Sequence, residues 1–579
     1  MYLIGIHDGH NSSVVLMKNG EIIDAVQEER FNKIKNFGGF PILSLDYILK
    51  KNFLKVSDIF EFIFASELSY YRGLENRQNV IKKYKKNFYK KNSLIKSLKK
   101  KIYNFIPKII VKEKKKYRFN QISKIRKKPL LSMGVKDCKI VFVEHHLCHA
   151  SSAAYGSGNT EETLVVTLDG AGDNCAGSVY NYNNGYLKKI ISIPAEYSLG
   201  KLYSSITFFL GMVPLEHEYK VMGLAPYSEN SKQSHEVRNF LKSLYYYDSD
   251  LTFKLTKKID SVDNIGLLIC NNFKEKRFDS IAAGVQLFLE DFVTDWILRL
   301  VKYTKLNNLV VGGGVFMNVK LNKKISDLDC IKSLFVFPSC GDETNSFGSV
   351  YYRYYQINSK TPKKLSNFYL GNSYTNEEVF EQLKNYSFKN CKIKVSKIDD
   401  IDAKVAQLIN QNQIVGRFKG RMEFGARSLG NRAILCNPTM IDLVMQINKM
   451  IKNRDFWMPF APSIINEDEY INNPKKINMD YMMVATSFKK EFVNKFKAVI
   501  HPYDQSCRPN VVNKSINEDY YNLIYKFKEI SGYGVILNTS LNLHGLPIVC
   551  TPSDAFYVLD NSKIKYLAIE NFLIEKINF

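Results

Sequence analysis

The feature that most constrains this chain is a layout of strands that occurs twice. Residues 2–27 read as strand, short loop, strand, tight turn and strand: YLIGI, HDGHNS, SVVLM, the turn Asn19-Gly20 and EIIDAV. The same order returns at residues 164–193, with LVVTL, the loop DGAGDNCA, GSVYNY, the turn Asn184-Gly185 and YLKKIISI. An Asn-Gly pair between apolar runs is a strong hairpin signal. The sequence therefore predicts a duplicated α/β unit with a polar, glycine-bearing first loop in each copy.

Between the two copies, a short apolar run ends in three histidines, in the segment VFVEHHLCHASSAAY. His145 and His149 are four residues apart at the predicted start of a helix, so they share one face. Asp169 follows the predicted strand 164–168. Two imidazoles and a carboxylate are suitable ligands for a divalent first-row metal. The alternative is that the histidines are polar caps or core groups, but their spacing together with a strand-end aspartate favours a metal site.

Length and composition indicate a multidomain protein of the cell interior. A chain of 579 residues is too long for one core, and apolar periodicity is lost near residues 358–365, so we expect domains at 1–360 and 361–579. The ten cysteines show no C-x-x-C spacing, which argues against a disulfide framework or a zinc ribbon. No apolar run reaches eighteen residues, so the sequence predicts a soluble cytoplasmic protein without membrane association.

The positive charge is concentrated in one insert. Of the formal net charge of +25, Lys82–Lys128 contributes +19, from eighteen lysines, two arginines and one glutamate. Apolar residues recur inside it at helical spacing, so we expect a basic helical insert over residues 80–130. It is either a solvated helical excursion or a surface that attracts a phosphorylated substrate, an acidic polysaccharide or RNA.

Two further segments have the chemistry of anion binding. Strand NLVV leads into Gly312, Gly313 and Gly314 and then Asn318, a loop whose bare backbone could lie against phosphate oxygens. In the C-terminal half, a group of basic residues is interleaved with glycines, and arginine grips phosphates and carboxylates bidentately. This group, which favours an anion site over a solvated face, consists of Arg417, Lys419, Arg421, Arg427, Arg432 and Arg454.

Taken together, the motifs resemble the O-carbamoyltransferases of antibiotic and nodulation-factor biosynthesis. HHLCHA, TLDGAGD, EYKVMGLAPY, GGGVFMN, GDETNSFGS, GRMEFGARSLGNRAIL, MPFAP and NTSLN occur in the family's order from residue 2 to about residue 556. The resemblance implies an α/β fold with an N-terminal duplicated actin-like (ASKHA) domain and a C-terminal YrdC-like twisted-sheet domain. One departure is Met458, which stands where the family usually has an arginine.

The resemblance also implies the chemistry. In such enzymes carbamoyl phosphate and ATP, the latter with Mg²⁺, react in the YrdC-like domain to form a carbamoyladenylate and release pyrophosphate. The carbamoyl group then passes, in the ASKHA domain, to a hydroxyl of a small-molecule or glycan acceptor, and AMP leaves. Fe(II) is the usual metal, although another divalent ion could serve. Some members of the family assemble as dimers, so a homodimer is compatible with the resemblance.

Individual residues follow from the family motifs. The metal positions correspond to His145, His149, Asp169 and Asp342. His10 would contact the carbamoyl group or acceptor, either as the base that takes the hydroxyl proton or only as an orienting donor. Residues implied to hold the adenylate are Lys35, Lys220, Gly312, Gly313, Gly314 and Asn318. Residues implied to bind ATP and carbamoyl phosphate are Lys419, Arg421, Arg427, Arg432, Arg454, Asn538 and Ser540.

Two other functions stay open at this point. The shared ASKHA domain and the basic insert could belong to an RNA-modifying threonylcarbamoyl-type transferase, although nucleic acid is the less favoured partner. A catalytically silent ATP-binding protein is the third interpretation, and the intact set of metal-binding and arginine residues argues against it.

Overall fold

The computed structural model describes residues 1–68, 77–89, 108–257, 259–452 and 454–577. These residues form two compact units. The first unit consists of residues 1–23 and 36–365, and the second of residues 24–35 and 366–579. The sequence analysis placed the division at residue 360 and did not anticipate that residues 24–35 belong to the second unit.

The first copy of the predicted layout forms a five-stranded sheet among the described residues. Its members are β1 (Tyr2–His7), β2 (Ser13–Lys18), β3 (Glu21–Gln27), β4 (Ile59–Ala65) and β5 (Ile140–Val143). The strand order is β3-β2-β1-β4-β5. β1 pairs antiparallel with β2 and parallel with β4, and β4 pairs parallel with β5.

The second copy repeats this arrangement strand for strand. Its chain order is β6 (Thr163–Gly172), β7 (Cys175–Asn183), β8 (Tyr186–Pro194), a separate hairpin of β9 (Tyr245–Tyr247) and β10 (Phe253–Leu255), then β11 (Asn308–Gly312) and β12 (Ser333–Val336). The sheet order is β12-β11-β6-β7-β8. β7 pairs antiparallel with β6 and β8, and β11 pairs parallel with β6 and β12. The predicted duplication is confirmed.

One local difference concerns the loop predicted at residues 169–176. β6 continues to Gly172, and β7 begins at Cys175, because Gly172 pairs with Cys175 after a register shift that follows Leu168. Asp169 therefore lies within an irregular part of the hairpin and not in a free loop.

Helices surround the two sheets of the first unit. They are Ile42–Lys51, Arg77–Phe88, Lys108–Ser132, His145–Ser157, Leu199–Phe209, Glu218–Leu224, Lys232–Lys242, Gly266–Phe273, Phe278–Thr304, Val319–Asp327 and Asn345–Asn358. Helix 345–358 packs closely on helix 145–157, since a Cβ on Gly348 would lie 1.8 Å from the carbonyl oxygen of Cys148. The basic insert is helical at 77–88 and 108–132, as predicted, and the prediction for residues 90–107 lies outside the described residues.

The second unit is built on a mixed sheet, as the α/β prediction requires. Its described strands are β13 (Ile393–Lys397), β14 (Val415–Phe418), β15 (Arg432–Cys436), β16 (Ala461–Ile464), β17 (Thr486–Ser487), β18 (Ser506–Cys507), β19 (Asn510–Val511), β20 (Val535–Ser540), β21 (Tyr566–Ile569) and β22 (Phe572–Lys576). Eight of them form one sheet in the order β13-β22-β21-β14-β15-β20-β16-β19. The helices are Glu29–Asn32, Asn376–Asn385, Ile401–Asn410, Ile441–Ile447, Glu467–Tyr470, Lys490–Val493, Glu518–Ser531 and Pro552–Asp560. Within the described ranges, none of the protein's helices combines the length and apolar character needed to span a membrane.

Candidate metal centre and anion pocket

The first unit brings the four predicted metal ligands together. One ligand atom from each of His145, His149, Asp169 and Asp342 lies within 4.8 Å of the others. Nε2 of His145 is 3.6 Å from Oδ2 of Asp169 and 3.4 Å from Oδ1 of Asp342. Nε2 of His149 is 3.3 Å from the same Asp342 oxygen. The histidines stand one turn apart on helix 145–157, Asp169 is on β6, and Asp342 follows β12.

The start of helix 145–157 is fixed by two acidic side chains. Glu144 caps it, accepting hydrogen bonds from the backbone N–H groups of His146 and Leu147. Asp173 accepts from the N–H of His145 at 2.9 Å, and also from the Ser66 hydroxyl and two further backbone N–H groups at 2.6–2.8 Å. Asp173 thereby ties the first ligand to the loop after β4, a role that the sequence analysis missed.

The third histidine of the motif is not a ligand. Nδ1 of His146 lies 2.9 Å from the Thr167 hydroxyl, and its Nε2 lies 3.1 Å from the carbonyl oxygen of Cys175. Both ring nitrogens of His146 are thus used inside the protein. The spacing of four residues, and not mere proximity in sequence, selects the ligands.

The donor set fits a divalent cation. Nε2 of His145 and Oδ1 of Asp342 are buried, and neither has a hydrogen-bond partner among the described residues. Buried polar atoms are rarely left in this state without water, an ion or a ligand. Burial raises the pKa of Asp342, but the neighbouring His145 outweighs that effect and holds the pKa of this carboxyl well below its usual range. An ionised carboxylate beside imidazole nitrogens is what a first-row metal requires.

His7, at the end of β1, is a member of the site that the sequence analysis missed. Its Nε2 lies 4.0 Å from Oδ2 of Asp342 and 3.1 Å from the carbonyl oxygen of His10. Burial lowers its pKa to about 4, so the ring is neutral at physiological pH. The only signal in the sequence was its place at the end of a strand in HDGH. His10 itself is half-buried and pairs through its backbone with Gly38, and its catalytic role stays a prediction.

The glycine triplet supports the metal centre directly. The N–H of Gly314 donates to Oδ1 of Asp169 at 3.0 Å. Gly313 has φ of +98°, and a Cβ there would lie 2.3 Å from the carbonyl oxygen of Leu168. Gly313 and Gly314 approach β6 so closely that a larger residue would not fit at either position. Gly312 ends β11, where a Cβ would lie 2.9 Å from the carbonyl oxygen of His149.

The other three residues expected to hold the adenylate, Asn318, Lys220 and Lys35, lie in different parts of the structure. The Asn318 side chain caps helix 319–327 through the N–H of Leu321 and exchanges hydrogen bonds with Gln286 at 2.8 and 3.1 Å. Lys220 is in the first turn of helix 218–224. Lys35 belongs to the second unit, and its role in holding the adenylate stays a prediction.

In the second unit, one predicted phosphate ligand makes extensive contacts with the surrounding backbone. Arg432 is fully buried, and its guanidinium stacks 3.6 Å from the centre of the Phe418 ring. Its two terminal nitrogens donate to the backbone carbonyls of Lys419, Asn431, Asn372 and Gly420 at 3.0–3.2 Å. Arg432 therefore supports the loop between β14 and β15 through both terminal nitrogens, whereas its buried Nε has no hydrogen-bond partner among the described residues. Phosphate binding by Arg432 stays a prediction.

Two neighbouring cations are ion-paired. Lys419 lies 2.9 Å from Asp402 and 3.5 Å from Asp519, and Arg421 donates to Asp24 at 2.6 Å. Arg427 is half-buried in the same loop. The amide of Asn538 donates to the Ser428 carbonyl and the Ser463 hydroxyl, both at 3.0 Å. Phosphate binding by these residues stays a prediction.

A buried lysine, Lys452, lies close to residues predicted to bind phosphate, although the sequence patterns did not single it out. Its ammonium is buried and donates to Oγ of Ser540 at 3.1 Å and to Oδ1 of Asn542 at 2.7 Å, as well as to both backbone carbonyls. All its hydrogen-bond partners in the described chain are neutral oxygens. Burial and the nearby charges of Arg454 and Lys35 lower the pKa of Lys452 well below its usual value. An anion would relieve this concentration of positive charge.

Arg454 lies near the same lysine. It donates to the Thr539 hydroxyl at 3.0 Å and stacks 4.8 Å from the centre of the Phe460 ring. Three residues predicted to bind a phosphate-bearing ligand act on Lys452. Ser540 accepts a hydrogen bond from its ammonium, and the charges of Arg454 and Lys35 lower its pKa. No local pattern marked Lys452, since its burial arises from contacts about 90 residues away in the sequence.

The chain thus combines a duplicated α/β domain that encloses four candidate metal ligands with a second α/β unit that contains a buried lysine and a group of arginines. Comparison with known proteins identifies the family. Residues 2–350 match the carbamoyltransferase N-terminus and residues 406–576 the carbamoyltransferase C-terminus. The chain belongs to the carbamoyltransferase family and is a carbamoyltransferase of the nodulation-protein type.

Relatives match over most of the chain. An uncharacterized protein of Methanocaldococcus jannaschii is 32% identical over 98% of both chains. Nodulation protein NolNO of Sinorhizobium fredii is 27% identical, covering 98% of this chain and 79% of its own. Nodulation protein NolO of Bradyrhizobium diazoefficiens is 29% identical over 75% and 79% respectively. Among solved structures, full-length HypF in its phosphate- and nucleotide-bound form covers 62% of this chain and 46% of its own, with a TM-score of 0.37 and 11% identity, which is too low to support an argument.

Proposed function

We propose that this carbamoyltransferase uses carbamoyl phosphate and ATP, through a carbamoyladenylate, to carbamoylate a hydroxyl of a sugar, glycan or secondary metabolite. The second unit, taken as YrdC-like, carries out the activation and releases pyrophosphate. The first unit transfers the carbamoyl group. The observation that carries the proposal is the cluster of four ligand atoms, two of them buried without a hydrogen-bond partner in the described structure.

The activation step is assigned to the pocket around Lys452. Carbamoyl phosphate and ATP bring several negative charges together, and they need fixed cations to hold them in line. Lys452 and Arg454 supply two cations, and Ser540 and Asn542 orient the ammonium of Lys452. Mg²⁺ accompanying ATP would share the charge.

The transfer step is assigned to the metal centre. His145, His149, Asp169 and Asp342 would hold Fe(II) or another divalent ion, which when bound supplies Lewis acidity toward a carbonyl oxygen. The acceptor hydroxyl must also lose a proton. His10 is the predicted base, and the neutral His7 beside Asp342 is a second candidate, since a neutral imidazole can accept a proton.

The test measures the two steps separately. With carbamoyl phosphate, ATP and Mg²⁺, the wild-type protein should release pyrophosphate only when carbamoyl phosphate is present. Lys452→Met should reduce this release by at least about 100-fold, the scale for losing a preorganised electrostatic contact. Lys449→Met, which removes an exposed lysine from the same segment, is the matched control and should keep wild-type release.

Transfer is followed by mass spectrometry of candidate acceptors, which should gain the mass of one carbamoyl group. His10→Ala should abolish the gain while pyrophosphate release continues. A protein without carbamoyl-phosphate-dependent pyrophosphate release, tested after loading with Fe(II), would contradict the proposal and favour a silent ATP-binding protein.

A further inference from the structure

Both described helices of the basic insert are anchored beside the metal centre. In helix 77–88, the rings of Tyr84 and Phe88 pack on Phe208, with ring centres 6.2 and 5.3 Å away. Burial raises the pKa of Tyr84, and the negative charges of Glu218, Asp263 and Asp169 add to this effect. Phe208 belongs to helix 199–209, whose N-cap Ser198 donates to the carbonyl oxygen of Asp169 at 3.0 Å.

The second helix is anchored by a buried ion pair. Arg126 donates from Nε and Nη2 to the two carboxylate oxygens of Asp8 at 2.8 and 2.6 Å, and from Nη1 to the Ser66 carbonyl at 2.6 Å. Asp8 directly follows His7, whose Nε2 is 4.0 Å from the metal ligand Asp342. The insert is thus part of the surroundings of the transfer site and not a remote excursion.

The exposed surface of helix 108–132 carries five cations, called here the cationic stripe: Lys114, Lys116, Arg118, Lys124 and Lys128. Ile122, Arg126 and Leu130 form the buried face of the same helix. In the described part of the chain, ion pairs engage Lys115 with Glu67 and Lys127 with Asp137, but none engages a stripe residue. At 1.5 Å per residue the stripe is about 21 Å long.

We propose that the cationic stripe docks the acceptor and that the acceptor is a polyanionic glycan. This inference rests on the proposed carbamoyl transfer to a hydroxyl. Because the helix is anchored beside the transfer site, the molecule that meets the stripe is the one that must reach that site. A length of about 21 Å matches a row of regularly spaced charges better than a single phosphate.

A glycan fits the composition of the stripe better than a nucleic acid does. Four of the five cations are lysines, which act as point charges toward spaced carboxylates or sulfates. Recognition of nucleic acids relies more on arginine forks and on rows of aromatic side chains that stack on bases. In helix 108–132, Tyr117 is the aromatic residue that is exposed among the described side chains.

The test is equilibrium binding of defined probes to the full chain. The probes are a polyuronate of about ten sugars, a neutral dextran of similar length and poly-uridylate, each titrated at two ionic strengths. We expect the polyuronate to bind, with affinity that falls steeply with salt, and the dextran not to bind. The triple variant Lys116→Gln, Lys124→Gln, Lys128→Gln should bind polyuronate roughly tenfold or more weakly and with a shallower salt dependence.

The matched control removes three exposed lysines elsewhere in the same unit, Lys188→Gln, Lys242→Gln and Lys302→Gln, and should bind like wild type. Three results would each overturn the inference. They are an equal loss of polyuronate affinity in both variants, no binding of polyuronate by the wild-type protein, and tighter binding of poly-uridylate than of polyuronate. Failure of the proposed function is read separately, as the absence of pyrophosphate release by the wild-type protein, because probe binding requires neither carbamoyl phosphate nor ATP.

Discussion

At the residue scale, the four predicted metal ligands are held in place by groups outside the ligand set. Asp173 accepts four hydrogen bonds, one of them from the backbone of His145, and Gly314 donates to Asp169. Such supporting contacts commonly change metal affinity by about 10- to 100-fold when they are removed. The centre is therefore sensitive to substitutions that leave all four ligands in place.

Gly172 packs directly against one of the predicted metal ligands. A Cβ there would lie 2.0 Å from Cγ of His145, so the imidazole ring would have to move. We expect Gly172→Ala to weaken divalent metal binding by about 10-fold or more. Gly170→Ala, in the same strand, is the control, because a Cβ at that position meets nothing within 4 Å. Metal titration calorimetry of both variants is the measurement, and equal affinities would contradict the close packing of Gly172 on His145.

The lowered pKa of Asp173 should make the free energy of unfolding depend on pH. Burial by itself raises the pKa of Asp173. His145 and the hydrogen bonds to the carboxylate lower this pKa by a larger amount, so the net pKa is below the usual value. A group with a depressed folded pKa stabilises the protein above its unfolded pKa, about 3.9, and this contribution is lost as pH falls through the folded value. Asp173→Asn should lower the free energy of unfolding by about 2–4 kcal/mol at pH 7, because N–H donors lose their charged acceptor.

The difference in the free energy of unfolding between wild type and Asp173→Asn should narrow below about pH 4, because the unfolded wild-type chain then takes up a proton at Asp173 before the folded protein does. Urea unfolding of metal-free protein at pH 7 and pH 3.5 measures it. Asp137→Asn, at an exposed ion pair, should change stability by less than about 1 kcal/mol. A difference between wild type and Asp173→Asn that grows toward low pH would contradict the assignment.

At the element scale, helix 108–132 depends on Arg126. This side chain is buried, pairs with both oxygens of Asp8 and lies over the rings of Phe64 and Phe142, 4.8 and 5.0 Å from their centres. In the sequence, Arg126 is one of the many charges of the basic insert, and nothing marks it as buried. The structure instead makes it the attachment of the helix to β1 and β4.

Removing one member of a buried ion pair leaves the other charge uncompensated, at a cost of about 3–5 kcal/mol. We therefore expect Arg126→Ala to lower the free energy of unfolding of the first unit by that amount. Lys128→Ala, two residues along the same helix but exposed, should change it by less than about 0.5 kcal/mol. Chemical denaturation followed by circular dichroism would compare them, and similar midpoints for both variants would contradict the role of Arg126.

Local patterns predicted the elements better than they predicted side-chain environments. Strand periodicity and the turns at Asn19-Gly20 and Asn184-Gly185 identified both hairpins, and the spacing of His145 and His149 identified the ligand pair. Burial of His7 and Lys452 depends on segments distant in sequence, which no local pattern encodes. The sequence likewise shows the charge of Arg432 but not its contacts with the backbone carbonyls of Asn372 and Gly420.

At the scale of the whole molecule, the two charged sets belong to different units. The metal ligands lie in residues 36–365, and Lys452 and Arg454 lie in residues 366–579. If each set serves one step, their variants should fail differently. We expect His149→Ala to lose carbamoyl transfer while keeping pyrophosphate release within about twofold of wild type, and Lys452→Met to lose both, because transfer depends on the activated intermediate. Loss of pyrophosphate release in His149→Ala, in a variant that stays folded by circular dichroism, would contradict this separation.

The most direct test of the account is the metal content of the protein after anaerobic reconstitution with Fe(II) and removal of loosely held ions. Elemental analysis should find about one ion per wild-type chain and little in His149→Ala or Asp342→Asn, since three remaining ligands hold a first-row metal weakly. Wild-type protein that retains no ion, or variants that retain as much as wild type, would contradict a metal centre at these residues.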